Sequence, residues 1–183
     1  MLINQLVNLS DNDIFYCLWK NINNYHSQIK DPYDLDLYID PKDGEKALKI
    51  LEQNGWIKVF SPVSNYKFIK HYFYFTRNKI YHLHIYIGLR TGDSWLKNYY
   101  LPIEDFIKKN SFKDENNVFL LSKSAYYIIF LFRLITKNSS LIGRFLYRKN
   151  FRKYNFESSY IDINLSNIKS TEFLESEFKN FIN

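Results

Sequence analysis

Asp34-Leu35-Asp36-Leu37-Tyr38-Ile39 is the stretch on which the reading of this chain turns. Polar and apolar residues alternate through its first four positions, the pattern of a strand with one buried face. Side chains two apart on a strand share a face. Asp34 and Asp36 therefore stand together, with Leu35, Leu37 and Ile39 on the opposite side. Like charges at that spacing repel unless something positive lies between them. Oxygen ligands of this kind suit a hard divalent metal, and phosphoryl and nucleotidyl transfer use such carboxylate pairs to hold Mg²⁺. The plain alternative is an edge strand with a solvated acidic face.

Working outward, Leu2 to Leu9 has the spacing of a short amphipathic helix, and Ile14 to Trp19 reads as a buried strand. Lys20-Asn21 ends that strand, and Asp31-Pro32 marks a turn before the strand Tyr33 to Ile39. Pro41 opens a helix with the apolar stripe Ala47, Leu48, Ile50 and Leu51, closed at Asn54-Gly55. Trp56 to Phe60, Tyr66 to Phe75 and Ile80 to Leu89 read as strands. The last two form a hairpin about Arg77-Asn78. A short helix runs to Ile107, and Lys108 to Asn117 reads as a polar loop. Leu120 to Thr136, Leu141 to Tyr154 and Leu165 to Ile182 read as helices. The expected architecture is α/β: a mixed sheet with flanking helices over residues 1–110, then a helical C-terminal region over 118–183 packed on it.

The chain has 183 residues, 46% hydrophobic, with one cysteine and a formal net charge of +6. That suits an ordinary folded domain without a disulfide framework. No basic segment followed by a long apolar core opens the chain, and Arg133 stops the apolar run that begins at Ala125. A spanning helix needs roughly 20 such residues. The expectation is a cytoplasmic protein with no integral membrane segment. The basic excess favours anionic partners. Part of it lies in Arg144, Arg148, Lys149, Arg152 and Lys153, a helical stripe that is either a solvated face or a contact surface. Nucleic-acid binding is the weaker reading, since no helix-turn-helix or RNA-binding motif accompanies the stripe.

A second pair, His82 and His84, repeats the two-residue spacing in Tyr81-His82-Leu83-His84-Ile85-Tyr86. Imidazoles there would serve as metal ligands, bases or phosphate donors. On an adjacent strand they would face the aspartates. Arg90 and Lys97 follow at the end of that strand, where they would clamp phosphates or lie in a solvated loop. No zinc-ligand spacing, Gly-rich phosphate loop or nucleophile-elbow motif is present.

Tyr16-Cys17-Leu18-Trp19-Lys20-Asn21, the run Asp34 to Pro41, the helix ending at Gly55, His82-Leu83-His84 and Lys97-Asn98-Tyr99-Tyr100-Leu101-Pro102 occur in an order that resembles the nucleotidyltransferase-like domains (polymerase-beta-like superfamily) of bacterial surface-polysaccharide gene clusters. Some of those are fused to a thymidylate-kinase-like domain. The resemblance covers roughly residues 1–135. It implies a nucleotidyltransferase-like fold and a role in polysaccharide or capsule biosynthesis. Active members hold two Mg²⁺ on two Asp of one strand and a third carboxylate on a later strand. Asp34 and Asp36 match the first two as metal ligands. The third position carries His82, and Lys20-Asn21 stands where members have Gly-Ser. The resemblance thus implies Asp34, Asp36, His82 and His84 as the catalytic set and Lys20, Asn21, Arg90 and Lys97 as nucleotide- or phosphate-binding residues. Two functions stay open. One is Mg²⁺-dependent transfer from a nucleoside triphosphate to a glycan-related acceptor. The other is a catalytically inactive binding module serving a kinase or glycosyltransferase partner.

Overall fold

A computed structural model describes residues 2–22, 25, 34–60, 68–92, 97 and 99–137. The expected turn at Asp31-Pro32, the helices from Leu141 and Leu165 and the basic stripe lie outside these residues. The chain divides into two units, residues 1–89 with 102–121 and residues 90–101 with 122–183.

Among the described residues the first unit is built on a seven-stranded mixed sheet in the order β3-β4-β5-β2-β1-β9-β8. Its strands are β1 (Tyr16–Lys20), β2 (Asp34–Ile39), β3 (Ile57–Val59), β4 (Ile69–Phe75), β5 (Ile80–Ile87), β8 (Ser111–Lys113) and β9 (Phe119–Leu121). The hairpin expected about Arg77-Asn78 is present as β4 and β5, antiparallel and in register. β2 and β5 run parallel, Asp34 beside His82, Asp36 beside His84 and Tyr38 beside Tyr86. Parallel neighbours need a crossover, and α2 (Gly44–Gln53) lies within it.

Register fixes two unlike faces. Leu35, Leu37 and Ile39 stand beside Leu83, Ile85 and Ile87, and all but Ile87 are fully buried. α2 lies on this apolar face. Its first residue, Gly44, approaches Ile87 so closely that an added Cβ would meet Ile87 Cγ2 at 2.9 Å. Near its other end Glu52 Oε1 accepts a 2.7 Å hydrogen bond from the Tyr72 hydroxyl. Asp40 caps the 3₁₀ turn Pro41–Asp43 that leads into α2, accepting from the Lys42 amide at 3.0 Å. Gly55, at φ +86°, turns the chain out of the helix toward β3. α1 (Leu2–Asp11) buries Leu2, Leu6 and Leu9 and lies beside α2.

Two boundaries differ from the sequence reading. The short helix expected to end at Ile107 is α3 (Glu104–Lys109), and the segment Lys108–Asn117, expected to be a polar loop, carries β8, which pairs with β9, which in turn runs parallel to β1. Asp114 accepts from the amides of Asn116 and Val118 at 2.9 and 2.8 Å, which makes the polar residues 114–117 a tight turn joining two strands. The long helix accordingly begins later than Leu120, as α4 (Lys123–Lys137). Ser122 Oγ accepts from the Ala125 amide at 3.3 Å and caps its start.

In the second unit β6 (Leu89–Thr91) pairs with β7 (Tyr99–Leu101), and α4 buries Ala125, Tyr126, Ile129, Phe130 and Leu134. Among the described residues no helix is long and apolar enough to cross a membrane.

Gly44→Ala tests the closeness of α2 to β5. Alanine favours a helix over glycine by roughly 1 kcal/mol. Overpacking costs about 1–3 kcal/mol, and the obstructing atom is a branch next to the Ile87 backbone. The variant should melt below the wild type by thermal denaturation; a higher melting temperature would show that the contact is slack.

Candidate functional site

The opposite face of the same strands carries Asp34 and Asp36 from β2, His82 and His84 from β5, and His71 and Phe73 from β4. His71 stands beside His84 and Phe73 beside His82. The aspartates and histidines thus share the face that the two-residue spacing predicts. Lys20 joins them because β1 pairs antiparallel with β2, and an irregularity between Leu18 and Lys20 brings Lys20 opposite Asp36. Asn21 follows with φ +54°. Glycine is the usual occupant of that left-handed conformation, and asparagine is among the few side chains that tolerate it. The backbone shape is thereby kept while an amide side chain is added.

That amide is used. Asn21 Nδ2 donates to Asp36 Oδ2 at 2.7 Å. Lys20 Nζ donates to Asp36 Oδ1 at 2.8 Å, and His84 Nδ1 lies 3.1 Å from the same oxygen. Asp36 itself is only 4% exposed. Burial by itself would raise its pKa. The Lys20 charge and the hydrogen bonds from His84 and Lys20 outweigh that and hold the carboxyl well below the usual range. The Lys20 ammonium also lies 5.9 Å from the centroid of the Tyr86 ring, which in turn meets Trp19 edge-on. Losing one partner of such a buried pair typically costs about 3–5 kcal/mol, because the other charge is stranded.

Asp34 differs. Its side chain is half exposed, and Oδ1 lies 3.0 Å from His82 Nδ1. An ionised carboxylate can only accept, so His82 Nδ1 carries the hydrogen and, in the neutral ring, Nε2 is an acceptor. His71 Nδ1 lies 3.0 Å from that Nε2, with the two rings within 11° of parallel. The result is a hydrogen-bonded chain from His71 through His82 to Asp34. His71 also stacks on His84 at 4.4 Å between centroids, and Phe73 stacks on His82 at 4.5 Å. Burial, then the positive ends of His84 and His82, push the His71 pKa down to about 4 against the pull of the two aspartates. Burial also lowers His84.

Six of the expected site residues thus meet on one face: Lys20, Asn21, Asp34, Asp36, His82 and His84. Arg90 and Lys97 belong to the second unit, where the Arg90 guanidinium lies 4.9 Å from the Tyr100 ring centroid and Lys97 has φ +44°. His71 is the member that the sequence reading missed. A hairpin turning at Arg77-Asn78 places residues equally far on either side opposite one another, and that rule alone puts His71 across from His84.

The resemblance implies Mg²⁺ on Asp34 and Asp36, and the residues present do not fit it. Among the described residues no three His, Cys, Asp or Glu side chains gather as metal ligands. Asp36 Oδ1 already accepts from an ammonium and an imidazole, and Oδ2 from an amide. A divalent ion about 4 Å from the Lys20 ammonium would meet repulsion on the order of 8 kcal/mol at an effective dielectric of 20. No carboxylate from β5 offsets it, because His82 and His84 stand there.

No protein-family model and no curated protein matches the chain. Two solved structures do. The antibiotic-resistance factor ANT(2'')-Ia, determined in solution, aligns with a TM-score of 0.51 at 9% identity, over 98% of this chain and 90% of its own. An antigenic nucleotidyltransferase-like protein from Paracoccidioides brasiliensis aligns with a TM-score of 0.51 at 12% identity, over 97% and 85%. At such identities the likeness speaks for the fold, which is nucleotidyltransferase-like.

The depressed His71 pKa makes stability depend on pH. Below about 6.5, its ordinary value, the unfolded chain takes up a proton that the folded ring refuses until about pH 4. Its contribution is complete above that window and lost as pH falls through it. Urea denaturation between pH 7 and 4.5 should show stability falling for the wild type and falling less steeply for His71→Gln; equal slopes would show that His71 titrates normally.

Proposed function

We propose that the protein binds a nucleoside triphosphate at the aspartate–histidine face and acts in surface-polysaccharide or capsule biosynthesis as a nucleotide-binding module serving a kinase or glycosyltransferase. The observation that carries this reading is the engagement of Asp36 by Lys20, Asn21 and His84 within a nucleotidyltransferase-like fold. The sheet carries the polar face, while both oxygens of Asp36, one of the two carboxylates that a two-metal transfer requires, are occupied by the chain's own donors. The glycan setting rests on the sequence resemblance. The sequence resemblance also assigns Arg90 and Lys97 to phosphate binding, a role that suits them because a guanidinium can grip two phosphate oxygens at once and an ammonium supplies a point charge.

A second reading, transfer to a hydroxyl of a glycan-related acceptor, is favoured by the chain His71–His82–Asp34. A pair of imidazoles backed by a carboxylate can accept a proton from a hydroxyl and relay it along the chain to Asp34.

Calorimetric titration with each nucleoside triphosphate, in the presence of a chelator, tests the first reading. At least one should bind, and Arg90→Ala or Lys97→Ala should weaken it about tenfold, the loss expected for a charged hydrogen bond. Absence of binding by all of them overturns the reading. Release of pyrophosphate when a sugar or sugar-phosphate acceptor is added moves the protein to the second.

A further inference from the structure

We propose that the Lys20 ammonium is a built-in replacement for a divalent cation at the carboxylate pair, so that the site works without metal and becomes a divalent-cation site when that lysine is removed. The inference rests on placing function at this face, as the nucleotide-binding reading does, but its test uses no nucleotide.

The geometry is that of a closed charge balance. Asp36 is the most buried charge of the face, and the cation against it comes from the chain itself, at 2.8 Å. Lys20 is held in place. It follows the irregularity in β1 that sets it opposite Asp36, only 13% of its side chain is exposed, and the Tyr86 ring lies beneath it. Asn21 and His84 bind the carboxylate from two further directions and fix its plane. A carboxylate oriented by three donors, one of them fully charged, has its electrostatic need met before any ion arrives.

The two departures from the resemblance act in the same direction. Histidines on β5, where a third carboxylate is expected, remove negative charge. Lysine at position 20 adds positive charge. Together they do what bound cations would otherwise do and leave Asp34 as the face's net charge, partly exposed and hydrogen-bonded to His82. Removing Lys20 should reverse this. Asp36 would be left buried with neutral donors only, and a cation reaching Asp36, with Asp34 two residues away on the same face and His84 beside it, would find an oxygen-rich pair with an imidazole nearby.

The measurement is Mn²⁺ binding, followed by the loss of the free-ion electron paramagnetic resonance signal, for the wild type, Lys20→Met and the double variant Lys20→Met/Asp36→Asn. Lys20→Met should bind Mn²⁺ at least about tenfold more tightly than the wild type, and the double variant should lose that gain. In parallel, Mg²⁺ should raise the melting temperature of Lys20→Met and leave that of the wild type unchanged, because only the variant's folded state would bind the ion. If Lys20→Met folds poorly, refolding with and without Mn²⁺ gives the same reading: recovery only with metal supports the proposal. Mn²⁺ binding by the wild type as tight as by the variant overturns it. So does a variant that gains no affinity, or one that fails to refold under both conditions.

Discussion

The ion pair between Lys20 and Asp36 is the constraint around which the rest of the site is arranged. A buried carboxylate is costly unless it is paired and hydrogen-bonded. Here one ammonium, one amide and one imidazole share that duty, from β1, the turn after it and β5. Each donor depends on a separate feature of the backbone. Lys20 needs the irregular pairing of β1, Asn21 needs its left-handed conformation, and His84 needs the parallel register of β2 with β5. A one-residue slip of β2 against β5 would turn Asp36 into the apolar layer and expose Leu35 and Leu37. The apolar face and the polar site therefore hold each other in register.

The apolar side explains why the polar side can be so crowded. At Gly44 α2 lies so close to Ile87 that a Cβ would meet its Cγ2 at 2.9 Å, and the buried leucines and isoleucines of β2 and β5 supply the hydrophobic drive. The other face is then free to carry two carboxylates and three imidazoles. The stacking of His71 on His84 and of Phe73 on His82 keeps those rings ordered. Asp34 and Asp36 look alike in the sequence but do different things. Asp36 is buried and saturated; Asp34 is half exposed and anchors a histidine chain.

Much of this was legible in the sequence because it follows from alternation. The faces of β2 and β5, the hairpin about Arg77-Asn78 and the helix closing at Gly55 each have a local signal, and each is observed. The short strands β8 and β9 had none: β8 lies in a polar stretch and the three apolar residues of β9 run on into the pattern of the next helix, so both are defined by their partners and not by their own pattern. His71 was hidden for a related reason: its meaning comes from the strand opposite. The bond from Lys20 to Asp36 was the least visible, because it depends on an irregularity in pairing that no periodicity marks. The sequence does carry both charge changes, a lysine gained and a carboxylate replaced by histidine. What spacing cannot give is that the lysine reaches the aspartate instead of waiting for a phosphate.

The central claim is that the chain's own ammonium, and not a metal, keeps Asp36 ionised in its buried position. The most direct measurement is the carboxyl carbon resonance of Asp36 followed through an acid titration with a chelator present, for the wild type and for Lys20→Met. An ordinary aspartate titrates near 3.9. In the folded wild type the Asp36 signal should stay that of the ionised form through and below this point, and in Lys20→Met it should titrate at or above it. An Asp36 that titrates in the ordinary range in the metal-free wild type, or one that stays ionised without Lys20, would contradict the account.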